Sequence, residues 1–136
     1  MTKSLTVFSL GLLLLATSAA AADSFILNPS ADASELSADE LKAIFNGGKT
    51  TWPNKTRIRV VVPGAGPGNE ALMSFLGKSS NQFKTSWKKL VFSGNGTLPE
   101  TLADDAEVAA YVAKTPGAIG FIAAAPPAGV TVVPKP

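Results

Sequence analysis

The stretch VVVPGAGPGNEALMSFL, Val60–Leu76, decides the fold. RIRVVV (Arg57–Val62) is a strand, and its closing apolar run suits burial on both faces, as in a parallel sheet. Pro63 ends the strand, because it has no N–H for the ladder. GAGPGN is a glycine-rich turn, and Glu70–Leu76 is the helix after it, with Leu72, Phe75 and Leu76 turned inward. A strand, a turn and a helix in this order make one step of an α/β fold.

The rest of the chain repeats that alternation. SFILN (Ser24–Asn28) is a short strand closed by Pro29. Ser37 and Glu40 form a capping box, so a helix starts there with Leu41, Ile44 and Phe45 on one face. Gly47 and Gly48 stop it. Ser79 and Gln82 form a second box, ahead of Phe83, Trp87 and Leu90 at helical spacing. SGNGTLPET (Ser93–Thr101) is a loop. Asp104 caps a further helix, with Val108, Tyr111 and Val112 inward. AIGFI (Ala118–Ile122) is a strand, and VTVV (Val130–Val133) is an edge strand between proline-rich segments. Trp52 and Trp87 read as core aromatics with paired indole N–H groups.

Residues 1–22 have the pattern of a signal peptide: Lys3, an apolar run Leu5–Ala16, and small residues at Ala20, Ala21 and Ala22. The apolar run is too short to span a bilayer, so no membrane span is expected after cleavage. Residues 23–136 then form one domain. The 136-residue chain has no cysteine and no histidine. An exported chain without cysteine relies on packing, and it lacks the residue that carries a lipoprotein's anchor. A periplasmic or secreted protein is expected. The formal charge is only +2. No basic block occurs, which disfavours nucleic acid.

The chemistry-bearing candidates are few. GPGNEA (Gly66–Ala71) matches G-x-G-x-x-A, but no acidic residue follows at the distance a ribose needs. GKS at Gly77 and GKT at Gly48 lack the earlier glycine of a nucleotide-triphosphate loop. What remains is a helix start that attracts an anion, with Gly66, Gly68 and Asn69 as candidate ligands. The competing reading is a helix start satisfied by Asn69 as its cap. Ser93 and Thr97, in a second polar glycine-rich loop, can donate hydroxyls to an anion, although Asn-Gly is also ordinary turn chemistry. Without His or Cys the common nucleophile–base pairs are missing, so no catalysis is expected. No cofactor and no metal site is expected, since no calcium-loop spacing occurs.

LSADELKAIFNGGKTTWPN (Leu36–Asn54), RIRVVVPGAGPGNEALMSFL and VAAYVAKTPGAIGFI (Val108–Ile122) together resemble phosphate-type substrate-binding proteins of ABC transporters. The resemblance implies one periplasmic-binding-protein-like α/β lobe with a central, mainly parallel sheet flanked by helices. It also implies a phosphate or small-oxyanion ligand, and a membrane transporter as partner. Two departures bear on the ligand. Members with established phosphate binding have two lobes, and their binding loop carries an arginine, an acidic residue and a Ser-Gly-Thr triplet. The corresponding positions here are Pro63, Ala65 and Pro67-Gly68-Asn69. Loss of a bidentate arginine weakens oxyanion binding, so weak binding is expected. The alternative is a lobe without ligand that acts as an interaction module through a protein partner.

Overall fold

The computed structural model describes residues 23–32, 36–94 and 96–136. The signal-peptide reading of residues 1–22 lies outside them. The elements are β1 (Ser24–Leu27), α1 (Ala38–Phe45), β2 (Arg59–Pro63), α2 (Gly66–Leu76), α3 (Ser80–Phe92), β3 (Glu100–Leu102), α4 (Asp105–Lys114), β4 (Ala118–Ile122) and β5 (Thr131–Pro134). The five strands form one sheet in the order β3-β2-β4-β1-β5. β2 is parallel to both β3 and β4, while β1 is antiparallel to both β4 and β5. Four strands therefore point one way, and β1 alone is reversed.

Alternation along β2 explains the layers, because successive side chains point to opposite faces. Val60 and Val62 join Phe25, Leu27, Ile119 and Phe121 in a core covered by α1, α2 and α3. Val61 faces the other way, into a smaller core with Ile26, Ile122 and the α4 residues Val108, Ala109 and Val112. The ring of Phe25 sits at the centre of the larger core, 5.4 Å from Phe45, 5.3 Å from Phe75 and 4.9 Å from Phe121 between centroids. Trp52 and Trp87 are both buried, and their indole N–H groups donate to Gly117 O (3.0 Å) and Phe45 O (2.9 Å). No helix among the described residues is long and apolar enough to cross a membrane.

Both capping boxes form. Ser37 Oγ accepts from Glu40 N, and Glu40 Oε1 accepts from Ser37 N. Ser79 and Gln82 repeat the exchange at the start of α3. Ser79→Ala leaves α3 uncapped, with an expected loss of about 1 kcal/mol in urea denaturation. No change in the midpoint would show that packing of Phe83 and Trp87 alone holds that helix start.

Three differences from the sequence reading bear on the site. Pro63 belongs to β2, because Val61, Val62 and Pro63 pair with Glu100, Thr101 and Leu102. Those last three residues are a strand, β3, which begins inside the segment read as a loop (Ser93–Thr101) and ends one residue past it. Helix α2 begins at Gly66, not Glu70, with Ala65 at its cap position. Proline fits a first helical turn, where its missing N–H costs nothing, so Pro67 starts this helix. Asn69 is accordingly inside α2 and is not its cap.

Candidate functional site

The carboxyl ends of β3, β2 and β4 lie side by side in the sheet. The chain leaves β2 through α2 on one face and leaves β3 through α4 on the other. In open α/β sheets such a divergence opens the crevice that receives ligands. Three segments meet there: Gly64–Gly68 after β2, Ala103–Asp105 after β3, and Ala123–Ala124 after β4.

Asp105 joins them. It is the first residue of α4, whose cap is Asp104, with Asp104 Oδ1 accepting from Glu107 N at 2.9 Å. Asp105 is therefore spare for the helix start. Its Oδ2 accepts from two consecutive backbone amides, Ala123 N at 2.9 Å and Ala124 N at 3.2 Å. The carboxylate also reaches the start of α2, where a methyl group on Gly68 would overlap it. Gly68 is buried there, between Asp105 and Pro63. The α2 terminus has no side-chain cap and no acidic residue in its first turn. Aligned helix dipoles leave such an end partly positive, and consecutive amides add donors. The crevice thus favours negative oxygen, and a carboxylate of the chain itself lies in it.

The candidate ligands read from the sequence fall in different places. Gly66 is exposed, with a φ of +83° and no atom within 4 Å of where a Cβ would stand. Gly68 lines the crevice. Asn69 is committed to packing: its Nδ2 donates to Pro63 O (3.0 Å) and its Oδ1 accepts from Ser80 Oγ (3.1 Å). These bonds lock α2 to the end of β2 and to the start of α3. Ser93 is at the far end of α3, where its Oγ donates to Leu90 O at 2.9 Å. Thr97 lines a different cleft, beside Arg57 and Arg59 near the amino end of β2. The fold does not bring Ser93 and Thr97 to Gly66 and Gly68. The sequence reading names Asp104 at this helix start and gives Asp105 no role. The available signal was the doubled aspartate: one residue suffices as a cap, which leaves the second for other use.

Comparisons with known proteins agree with this architecture. A family profile described as the PBP superfamily domain matches residues 14–133. No curated protein sequence matches the chain. Among solved structures, the chain is similar to a Clostridium perfringens protein described as a phosphate ABC transporter substrate-binding protein with bound phosphate. The TM-score is 0.65 at 17% identity, covering 84% of this chain and 44% of that one. An ABC-type phosphate transport receptor from Vibrio cholerae gives a TM-score of 0.63 at 17% identity, covering 84% and 46%. PstS from Borrelia burgdorferi gives 0.54 at 17% identity, covering 76% and 40%. The chain therefore spans less than half the length of these structures, and at this identity the likeness is one of fold.

Proposed function

Because the chain belongs to the PBP superfamily, we propose that it is an exported solute-binding lobe that takes a small oxyanion of the phosphate type, weakly, in the crevice at the carboxyl ends of β2, β3 and β4. The observation that carries this reading is the carboxylate of Asp105 held by the Ala123 and Ala124 amides. A seat that stabilises one set of negative oxygens is suited to another. An incoming oxyanion competes with Asp105 and is repelled by it, and no arginine clamps it there. A membrane transporter is the partner that the family suggests, and the reaction is binding without catalysis.

The test is calorimetric titration with phosphate, with sulfate as control, on the purified protein and on Asp105→Ala. Asp104 still caps α4 in that variant. The original protein is expected to bind no tighter than about 1 mM, since a helix terminus alone contributes about 1 kcal/mol. Asp105→Ala frees the amides and removes a like charge, so affinity is expected to rise about tenfold or more. Equal affinities would remove the crevice as the seat. The filled crevice also favours a second reading, a ligand-free interaction module working through a protein partner. Silence of both proteins toward phosphate would support that reading over the first.

A further inference from the structure

A second cleft lies at the other end of β2, away from the Asp105 crevice. We infer that this cleft, built on Arg57 and Arg59, is a binding site for a small molecule carrying a carboxylate or phosphoryl group. The cavity is about 80 Å³, and its polar lining includes Lys49, Thr97, Glu100 and Tyr111.

The argument begins with composition. Arg57 and Arg59 are the only arginines of the chain, and Tyr111 is its only tyrosine. All three meet in one cleft. Residues two apart in an extended chain share a face, which puts both arginine side chains on the same side of the segment entering β2. Arg59 is held in register by pairing with Ala118 of β4, and Arg57 by an isolated bridge to Thr51. Neither guanidinium has an ion pair or hydrogen bond with any described residue, and the same holds for the Tyr111 hydroxyl. The Lys49 ammonium is 3.5 Å from Glu40, a half-exposed pair. Such pairs contribute little, so Lys49 is readily redirected.

Charge and shape agree. Arg57 and Arg59 meet one carboxylate, Glu100, in the lining, and Lys49 borders it, so cationic groups are in excess there. A local excess of one sign in a cleft attracts ligands of the other. Ile58, Val60 and Trp87, which belong to the larger core on the opposite face of β2 from the arginines, supply the apolar part of the cleft lining. Paired guanidinium forks match the planar or tetrahedral oxygens of carboxylate and phosphoryl groups, with which they form two parallel bonds.

Two arginines give two Nε–Hε signals in a ¹⁵N-correlated NMR spectrum, which makes the test direct. Inorganic phosphate and benzoate are titrated separately at moderate salt, which distinguishes phosphoryl from carboxylate ligands. Both arginine signals are expected to move saturably with at least one of them. Arg59→Gln is expected to weaken that binding about tenfold, and Arg59→Lys to weaken it as well, because a lysine keeps the charge but loses the fork. In Asp105→Ala the arginine shifts should saturate as before, while phosphate-induced shifts at Gly66–Asn69 and Ala123–Ala124 grow, which separates this cleft from the crevice. The inference is overturned if neither ligand shifts the arginine signals saturably up to about 10 mM. It is equally overturned if shifts are confined to Gly66–Asn69 and Ala123–Ala124, or if Arg59→Lys binds as tightly as the original.

Discussion

Gly117→Ala is expected to lower the free energy of unfolding by about 3 kcal/mol or more. Thr115, Pro116, Gly117 and Ala118 form a turn closed by Ala118 N donating to Thr115 O at 3.1 Å. Proline in the second position and a left-handed third position define a type II turn, and Gly117 supplies the latter with a φ of +77°. Alanine at that angle costs about 1 kcal/mol. The larger part comes from crowding. A methyl group there would overlap the carbonyl oxygen of Arg57 and stand 3.0 Å from Thr56 Cγ2. Relief requires moving backbone, and this backbone is heavily used. Gly117 O accepts from Trp52 Nε1 and from Arg59 N, each at 3.0 Å, and Gly117 N donates to Ser30 Oγ at 2.9 Å. A thermal midpoint lower by about 10–20 °C is the matching observable for a domain of this size. A loss under about 1 kcal/mol in urea denaturation would mean that the turn relaxes without disturbing β2 and β4.

The same residues show what was legible before any coordinates. Features set within a few residues could be read directly. The boxes at Ser37 and Ser79 and the cap at Asp104 are local hydrogen-bond patterns. The continuous apolar run Val60–Val62 is a local pattern too, and it pointed to a strand buried on both faces. The core roles of Trp52 and Trp87 followed from chemistry, since a buried indole needs an acceptor. Features set by distant partners could not be read. β3 is only three residues, Glu-Thr-Leu, too short to show a pattern; it is a strand because β2 lies beside it. The first turn of α2 is Gly-Pro-Gly, among the poorest helix formers, and Asn69 anchors it from within by bonds to Pro63 and Ser80. The Asp105 crevice joins segments from after three different strands, and no local pattern marks such a meeting. Asn28 is a similar case. It is buried, and its Nδ2 donates to Val112 O (2.9 Å) and Ala113 O (3.1 Å), closing the last turn of α4 from the end of β1. Those two carbonyls are among the ones a helix cannot satisfy itself.

Trp52→Ala is expected to cost about 3–5 kcal/mol, and Trp52→Phe only about 1–2 kcal/mol. The difference apportions two contributions. The side chain is 2% exposed and belongs to the larger core, so alanine removes most of a buried indole and leaves a cavity. Phenylalanine retains most of that contact and loses the Nε1 bond to Gly117 O. That acceptor keeps its bond from Arg59 N, so it is not left bare. A fully unsatisfied carbonyl would raise the phenylalanine cost toward that of alanine. The position also matters for shape. Trp52 sits in a tight reversal in which its N donates to Thr56 O and its carbonyl accepts from Lys55 N, whose φ is +73°. Once the indole is removed, this reversal loses its side-chain anchor on the Thr115–Ala118 turn, and the strand start that carries Arg57 and Arg59 is held less firmly. Urea denaturation of both variants, with the arginine Nε–Hε signals read under native conditions, separates the two effects. Phenylalanine is expected to keep both signals in place, while alanine shifts them even where the protein remains folded. Equal costs for the two substitutions would show that the hydrogen bond, and not the packed ring, fixes the turn against the sheet.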